Sequence, residues 1–466
     1  MQLSDLKGKK ITVMGLGLHG GGIGTVRFLS WAGAIITVTD LKSKEELAPS
    51  LEKLKDIKNI VYVFNQHRPE DFAKADMVIK TPPVSWSNKY VKISLENKVP
   101  VEVDSSLFFK LCKNTIVGVT GTKGKTTTST LIYEILKAAG KNPVKAGVGQ
   151  VPVLDKLKDL EKDNTVVFEL SSWRLSALGR YKISPHVAVF TNIFPDHLNY
   201  YKNVEEYIKD KKYIFLNQKP EDFFAANWDD EVLNKLDGEI KSNLIKFSKN
   251  KVNHGKSVFL NEGAVYINNG IDEKKVIDVS EIKLKGVHNA SNILAAVSAA
   301  TALEIDPKAI KKAIAEFRGI PHRLEFVREV EGVKYYNDTA ATTPESAEAG
   351  INAFFEPIVL ICGGSDKNLD MAEFGKVIAQ KVKIPVFLKG QATDKLIDAI
   401  RKNLPAEDSK KEFLMAESME KAVELARIEA MNGDVILLSP GAASFGMFAN
   451  EFDRGDKFKA AVNSLK

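Results

Sequence analysis

A chain of 466 residues is too long for one comfortable hydrophobic core, and at about 100 to 200 residues per domain it suggests roughly three domains. Hydrophobic residues make up 44% and charged residues 27%, as in soluble globular proteins, while 66 Lys plus Arg against 60 Asp plus Glu leave a net charge of +6. The basic residues are scattered and not gathered into a stripe with interleaved aromatics, which argues against nucleic acid as a partner.

Cys112 and Cys362 stand far apart without metal-ligand spacing, so neither a disulfide framework nor a structural zinc site is supported and both are expected in the core. No apolar run approaches the ~18 residues needed to span a bilayer, and MQLSDLKGKKITVMG carries no apolar signal segment. A monomeric cytoplasmic protein that does not enter membranes is expected.

Short β-branched runs, each followed by a glycine-bearing turn and then a helical pattern, recur as ITVMG, TIVGVTG, PIVLICGG, PVFLKG and DVILLSPG. This is how parallel α/β units read. Three blocks result, residues 1–110, 111–318 and 319–466: an α/β fold with a Rossmann-like N-terminal domain, a central domain with the parallel sheet of phosphate-loop ATPases, and a Rossmann-like C-terminal domain.

In the first block, Gly15-Leu-Gly17-Leu18-His19-Gly20 fits G-x-G-x-x-G after the strand Ile11 to Met14 and before a helix through Val26 and Leu29. Asp40, at the end of IITVTD, is placed to accept from a ribose hydroxyl. Free amides and the helix dipole favour a nucleotide diphosphate there. Taken alone, the turn would point to an NAD-dependent dehydrogenase.

In the second block, Gly121-Thr122-Lys123-Gly124-Lys125-Thr126-Thr127 follows the strand Thr115 to Val119 and precedes a helix expected over Ser129 to Ala139. That strand-loop-helix context is what a phosphate loop needs, although the spacing is shorter than the common form. Lys125 would neutralise the β- and γ-phosphates, and Thr126 would offer its hydroxyl to Mg²⁺. Downstream, Glu169 ends the strand Thr165 to Phe168, and the strand Val187 to Thr191 delivers Asn192 and the Asp196-His197 pair. A carboxylate and an imidazole at neighbouring strand ends can hold a second metal ion.

GTKGKTT, ELSSW, Asp196-His197, the lysines after Tyr207, GVHNASN, GIPHR, YYND and SPGAAS, in that order, make the whole chain resemble the Mur ligase family of peptidoglycan synthesis. The stretch from Asn337 to Thr342 and the GG-x-x-K loop ending in Lys367 resemble the branch that adds D-glutamate to UDP-N-acetylmuramoyl-L-alanine. The resemblance implies ATP and two Mg²⁺ ions, one near Thr126 and Glu169 and one held by Glu169, His197 and a carbamylated lysine. The pattern Y-x-x-x-K-x-x-I assigns that lysine to Lys211, with Lys212 as the alternative.

The resemblance further implies that Asn289 and Asn292 contact adenine and that Arg323 and Asp338 bind the nucleotide from the third domain. Thr342, Lys367, Ser444 and Phe445 would surround the incoming amino acid, with Lys367 also neutralising acyl phosphate oxygens. Gly15, Gly17, Leu18, His19, Asp40, Gln150 and Ser171 would hold the UDP-substrate, and the third domain would close over ATP. Catalysis would fall to Lys125, Glu169, His197, Lys211 and Lys367. Ala340, Gln150, Arg174 and Glu451 depart from the family's usual lysine, asparagine, glutamine and phenylalanine, which leaves another amino acid as the alternative substrate.

Overall fold

The computed structural model describes residues 1–18, 20–147, 152–194, 200–284, 287–366, 369–405 and 412–465. The chain forms two compact units, Met1–Ile282 with His288–Glu316, and Lys283–Val287 with Phe317–Lys466. The first unit contains two sheets and the second contains one.

The first sheet is wholly parallel, in the order β3-β2-β1-β4-β5: β1 Lys10–Met14, β2 Ile35–Thr39, β3 Ile60–Val63, β4 Met77–Lys80 and β5 Val101–Glu102. The order reverses between β1 and β4, which opens a crevice at their carboxyl ends, where ligands of such sheets collect. Helix Gly21–Trp31 follows the Gly15 turn and buries Val26, Phe28 and Leu29 completely.

Helix Asp104–Leu111 joins this sheet to a nine-stranded one in the order β14-β13-β12-β11-β10-β9-β6-β8-β7. Its strands are β6 Thr115–Thr120, β7 Asn142–Ala146, β8 Asn164–Glu169, β9 Val187–Phe190, β10 Phe223–Asn227, β11 Asn243–Ser248, β12 Ser257–Asn261, β13 Ala264–Asn268 and β14 Glu273–Asp278. The expected parallel arrangement holds from β7 to β12, but β13 and β14 add an antiparallel edge, so the sheet is mixed. One core runs from Val26 and Leu29 through Leu107 and Phe108 to Phe168 and Phe190, which makes the two sheets one unit.

The third sheet, in the order β15-β16-β20-β17-β18-β19, comprises β15 Glu325–Val330, β16 Val333–Asn337, β17 Ile358–Cys362, β18 Val382–Leu388, β19 Leu414–Ala416 and β20 Val435–Leu438. It too is mixed, because β15 and β16 form an antiparallel hairpin. Strand β17 is apolar throughout because both its faces are covered: Val359 and Ile361 enter one core, while Ile358, Leu360 and Cys362 enter the other. Cys362 is thus buried as expected, whereas Cys112 is only half-buried. Among the described residues no helix is long and apolar enough to cross a membrane.

Candidate active site

The phosphate loop leaves β6, which lies between β9 and β8, so its neighbours are the carboxyl ends of both. Register pairs Val119 with Glu169. The following helix spans Lys125–Ala138 and starts four residues earlier than expected. The run Thr126-Thr127-Thr128 is a poor helix former, but Gly124, in the left-handed conformation at φ 83°, caps the turn and lets the helix begin at Lys125. Thr126 and Thr127 therefore sit in the first turn, where free amides favour anions.

Two glycines leave the loop no spare room. A Cβ on Gly121 would lie 1.9 Å from Thr191 Oγ1, and one on Gly124 would lie 2.1 Å from Asn292 Oδ1. Thr191 and Asn192, just beyond β9, clamp the loop. Thr122 N donates to the Asn192 carbonyl (3.0 Å), Lys123 N donates to Asn192 Oδ1 (2.9 Å), and Thr191 Oγ1 donates to the Lys123 carbonyl (2.6 Å). Thr122 Oγ1 in turn meets Tyr207 Oη at 3.1 Å. This clamp was not recognised in sequence, where Asn192 reads only as a strand end.

Lysine side chains converge on the loop from two helices. Lys125 Nζ donates to the carbonyls of Gly121 (2.9 Å) and Thr122 (3.0 Å). Lys211 Nζ, on helix Val204–Lys212, donates to the same Gly121 carbonyl (2.8 Å) and to Thr120 Oγ1 (3.3 Å). Lys211 is 1% exposed, whereas Lys212 pairs with Glu239 on the surface. Helix phase separates them: Tyr207 and Lys211 are four residues apart on the buried face.

Glu169 Oε2 is buried and has no hydrogen-bond partner among the described residues. A buried carboxylate oxygen left bare is costly unless a cation or donor completes it. Beside a loop with no room for a Cβ, that donor set fits a magnesium-bound triphosphate. Asn289 and Asn292 lie on helix Val287–Ala302, and Asn292 Nδ2 donates to Asn289 Oδ1 (2.9 Å). Asn292 thereby rests its amide oxygen against Gly124 and, at 3.5 Å, the Thr128 hydroxyl. The expected sites His19, Gln150, His197 and Lys367 lie outside the described residues.

At the Gly15 turn, Asp40 does something other than wait for a ribose. Its Oδ2 accepts from the amides of Leu16 (2.9 Å) and Gly17 (3.1 Å), and its Oδ1 accepts from Lys42 N (3.0 Å). The carboxylate satisfies amides that the sequence assigned to a diphosphate, which weighs against a dehydrogenase-type dinucleotide. Leu18 stands 44% exposed at the tip. Ser171 accepts from Arg174 N at 3.4 Å and so caps helix Ser172–Arg180.

Lys80 ends β4 at 1% exposure, with its ammonium 3.3 Å from the Pro82 carbonyl and 4.4 Å from the Trp86 ring centroid. Burial, with Arg180 nearby, pushes its pKa down to about 7 against the pull of Asp104 and Asp210.

In the second unit, the carboxyl ends of β16, β20 and β17 are neighbours. Asp338, just past β16, accepts from Ser439 Oγ (2.8 Å) and Leu324 N (3.2 Å). Burial nonetheless lifts its pKa to about 7 against these bonds and the charge of Arg323. Arg323 is exposed, Thr342 half-buried, Ser444 4% exposed and Phe445 63% exposed. Ser365 Oγ donates to the Phe445 carbonyl and ties the β17 and β20 loops together.

Arg454, which was missed in sequence, is fully buried and donates to Thr339 Oγ1 (2.9 Å), the Thr339 carbonyl (3.0 Å) and the Ala442 carbonyl (3.1 Å). It fixes the segments that carry Asp338 and Ser444. A signal existed, since Arg454, Phe458, Ala461 and Val462 fall on one buried helical stripe.

These features define a phosphate-loop enzyme with a metal-competent carboxylate, built from three α/β sheets. Family models agree along the chain: the Mur ligase MurD-like N-terminal domain matches residues 9–102, the Mur ligase middle domain 119–300, and the Mur ligase glutamate ligase domain 322–441. The chain belongs to the Mur ligase family.

Relatives named UDP-N-acetylmuramoylalanine–D-glutamate ligase match over full length. The one from Roseiflexus sp. (strain RS-1) is 40% identical, covering 99% of this chain and 100% of the relative. That from Clostridium acetobutylicum is 36% identical, covering 99% and 98%. Among solved structures, the UDP-N-acetylmuramate–alanine ligase MurC of Thermotoga maritima aligns at a TM-score of 0.57 and 21% identity, over 98% of this chain and 100% of that one. The MurF ligase of Thermotoga maritima in complex with ADP aligns at 0.55 and 18%, over 99% and 96%. At such identities the two structures speak for the fold alone.

Proposed function

We propose that this protein joins D-glutamate to UDP-N-acetylmuramoyl-L-alanine at the expense of ATP, in the assembly of peptidoglycan precursors. The observation that carries the reading is that Lys125 and Lys211 both bond the phosphate loop, while Glu169, in register with Val119 on the neighbouring strand, has a buried oxygen with no hydrogen-bond partner among the described residues. Full-length relatives bearing the D-glutamate ligase name support the choice of amino acid.

A free carboxylate does not form an amide unaided, because hydroxide is a poor leaving group. Its oxygen instead attacks the γ-phosphorus of ATP, giving an acyl phosphate and ADP. Lys125 swings from its own loop carbonyls to the phosphates and offsets their charge. The D-glutamate amine then adds to the acyl carbon, and phosphate leaves. Magnesium, held by Thr126 and Glu169 and at a second position by Glu169, His197 and carbamylated Lys211, would stabilise charge on the transferring group. Carbamylation would turn Lys211 from a cation into a carboxylate ligand. Residues 1–110 would hold the UDP-sugar peptide, 111–318 ATP, and 319–466 the amino acid through Thr342, Lys367, Ser444 and Phe445.

The test is ATP-dependent phosphate release with both substrates, each omitted in turn, and with a panel of amino acids replacing D-glutamate. Release is expected only with UDP-N-acetylmuramoyl-L-alanine and D-glutamate together. Equal release with L-alanine or a diamino acid would overturn the choice of amino acid. Lys125→Ala is expected to abolish release, and a near-normal rate in that variant would refute the assigned phosphate loop.

A further inference from the structure

Helix Ser172–Arg180 begins three residues after Glu169 and is pinned to the first sheet along its length. Trp86 Nε1 donates to Ser176 Oγ (2.9 Å), Arg180 lies 4.1 Å from the Trp86 ring centroid, and Tyr181 Oη, just past the helix, donates to the Val101 carbonyl (2.9 Å). The strongest of these ties is made by Arg174. Its side chain is 15% exposed, and Nη2 and Nε grip the two oxygens of Asp104 at 2.7 and 3.3 Å. The remaining nitrogen, Nη1, donates to the Gly147 carbonyl at 3.0 Å.

Each partner sits at a junction. Asp104 opens the helix that links the first sheet to β6. Gly147 follows β7 at φ +75° and is packed so closely that a Cβ there would lie 2.4 Å from the Glu169 carbonyl and 3.0 Å from Arg174 Nη1. One planar cation therefore registers the interdomain joint, the end of β7 and the strand end of Glu169. Only a guanidinium offers this fork, because an ammonium is a single point charge.

We infer that Arg174 is a positioning residue for ligation: through Asp104 and Gly147 it sets where the nucleotide-sugar substrate presents its carboxylate to the phosphate loop. The inference rests on the ligase reading above. Misplacing reacting groups by about 1 Å costs on the order of 100-fold in rate, while the backbone of the ATP loop is held separately, by Asn192 and Asn292.

The test uses the full chain as wild type, Arg174→Lys, Arg174→Met, Asp104→Asn and the double variant Asp104→Asn with Arg174→Met. Phosphate release is measured against each substrate in turn, with thermal midpoints alongside. In Arg174→Met, kcat/KM for UDP-N-acetylmuramoyl-L-alanine is expected to fall roughly 10- to 100-fold, with the KM for ATP within about twofold of wild type. Arg174→Lys should recover little of the loss, and the double variant should be no worse than Arg174→Met alone, because the two residues act as a unit.

The inference is overturned if kcat/KM for the nucleotide-sugar is unchanged. It is also overturned if both substrates' KM values rise together in step with a fallen thermal midpoint, or if the Asp104 and Arg174 effects are simply additive. A wild type that releases no phosphate with both substrates overturns the ligase reading instead, and this inference with it.

Discussion

At the scale of single residues, the most telling feature is that two ammonium groups, Lys125 and Lys211, donate to one carbonyl oxygen. Carbamylation of Lys211 would turn that like-charged pair into an attractive one and supply an oxygen ligand facing the phosphates. Lys211→Ala should therefore lower phosphate release by roughly 10- to 100-fold, the range for loss of a metal-positioning group. Added formate or acetate should restore part of it by filling the vacated carboxylate position. Lys211→Arg, which keeps the charge but cannot carry a carbamate, should be as poor as Lys211→Ala and gain nothing from formate. Lys212→Ala should behave as wild type, since its partner is the surface Glu239. Equal losses at both lysines in the phosphate-release assay would count against the assignment.

Lys209, Lys211 and Lys212 are indistinguishable by composition, and only the family pattern picked one of them out. The physical discriminator was present all the same, because Lys211 shares its helix face with the buried Tyr207. Asp40 was less legible. Its position after a β-strand is what a ribose-binding carboxylate requires, and nothing in the sequence says that the turn's own amides claim it.

At the scale of elements, glycine geometry decides more than hydrophobic periodicity does. The phosphate-loop helix was expected to begin with its apolar pattern at Ser129, yet its first turn is Lys125-Thr126-Thr127, made possible by Gly124. Gly124→Ala would place a side chain in a left-handed conformation, costing about 1–2 kcal/mol. It would also drive its Cβ to within 2.1 Å of Asn292 Oδ1. The expected outcome is at least a tenfold weaker affinity for ATP by calorimetry, together with a lowered thermal midpoint. Unchanged ATP affinity would mean that the loop's shape does not set nucleotide binding.

The antiparallel additions were readable in the same terms but went unread. Glu262-Gly263, with φ of 47° and 72°, turns β12 into β13, and Glu331-Gly332, with φ of 51° and 78°, turns β15 into β16. Two positive-φ residues between alternating strands are the mark of a tight hairpin. Glutamate is an uncommon first residue for such a turn, so the signal was carried by the glycine alone.

At the scale of the whole molecule, two buried ionisable groups should give each compact unit its own pH dependence, with opposite signs. For Lys80 the folded pKa of about 7 lies below the ordinary lysine value of 10.5. Between those values the unfolded chain binds the extra proton, so stability rises with pH across that window; the cost of burying the charge is full below pH 7 and gone above 10.5. For Asp338 the folded pKa of about 7 lies above the ordinary aspartate value of 3.8. There the folded state binds the extra proton, so stability falls as pH rises from 3.8 to 7, and the cost is full above 7. Both costs are therefore close to full near neutrality. Lys80→Met should raise the thermal midpoint of the first unit by roughly 2–4 °C or more at pH 6 to 7, with the gain fading toward pH 10. Asp338→Asn should raise that of the second unit by a similar amount at pH 8 and by little at pH 4. Calorimetric scans across pH 4 to 10 would test both, and a gain independent of pH would show that these side chains act through packing rather than through their protons.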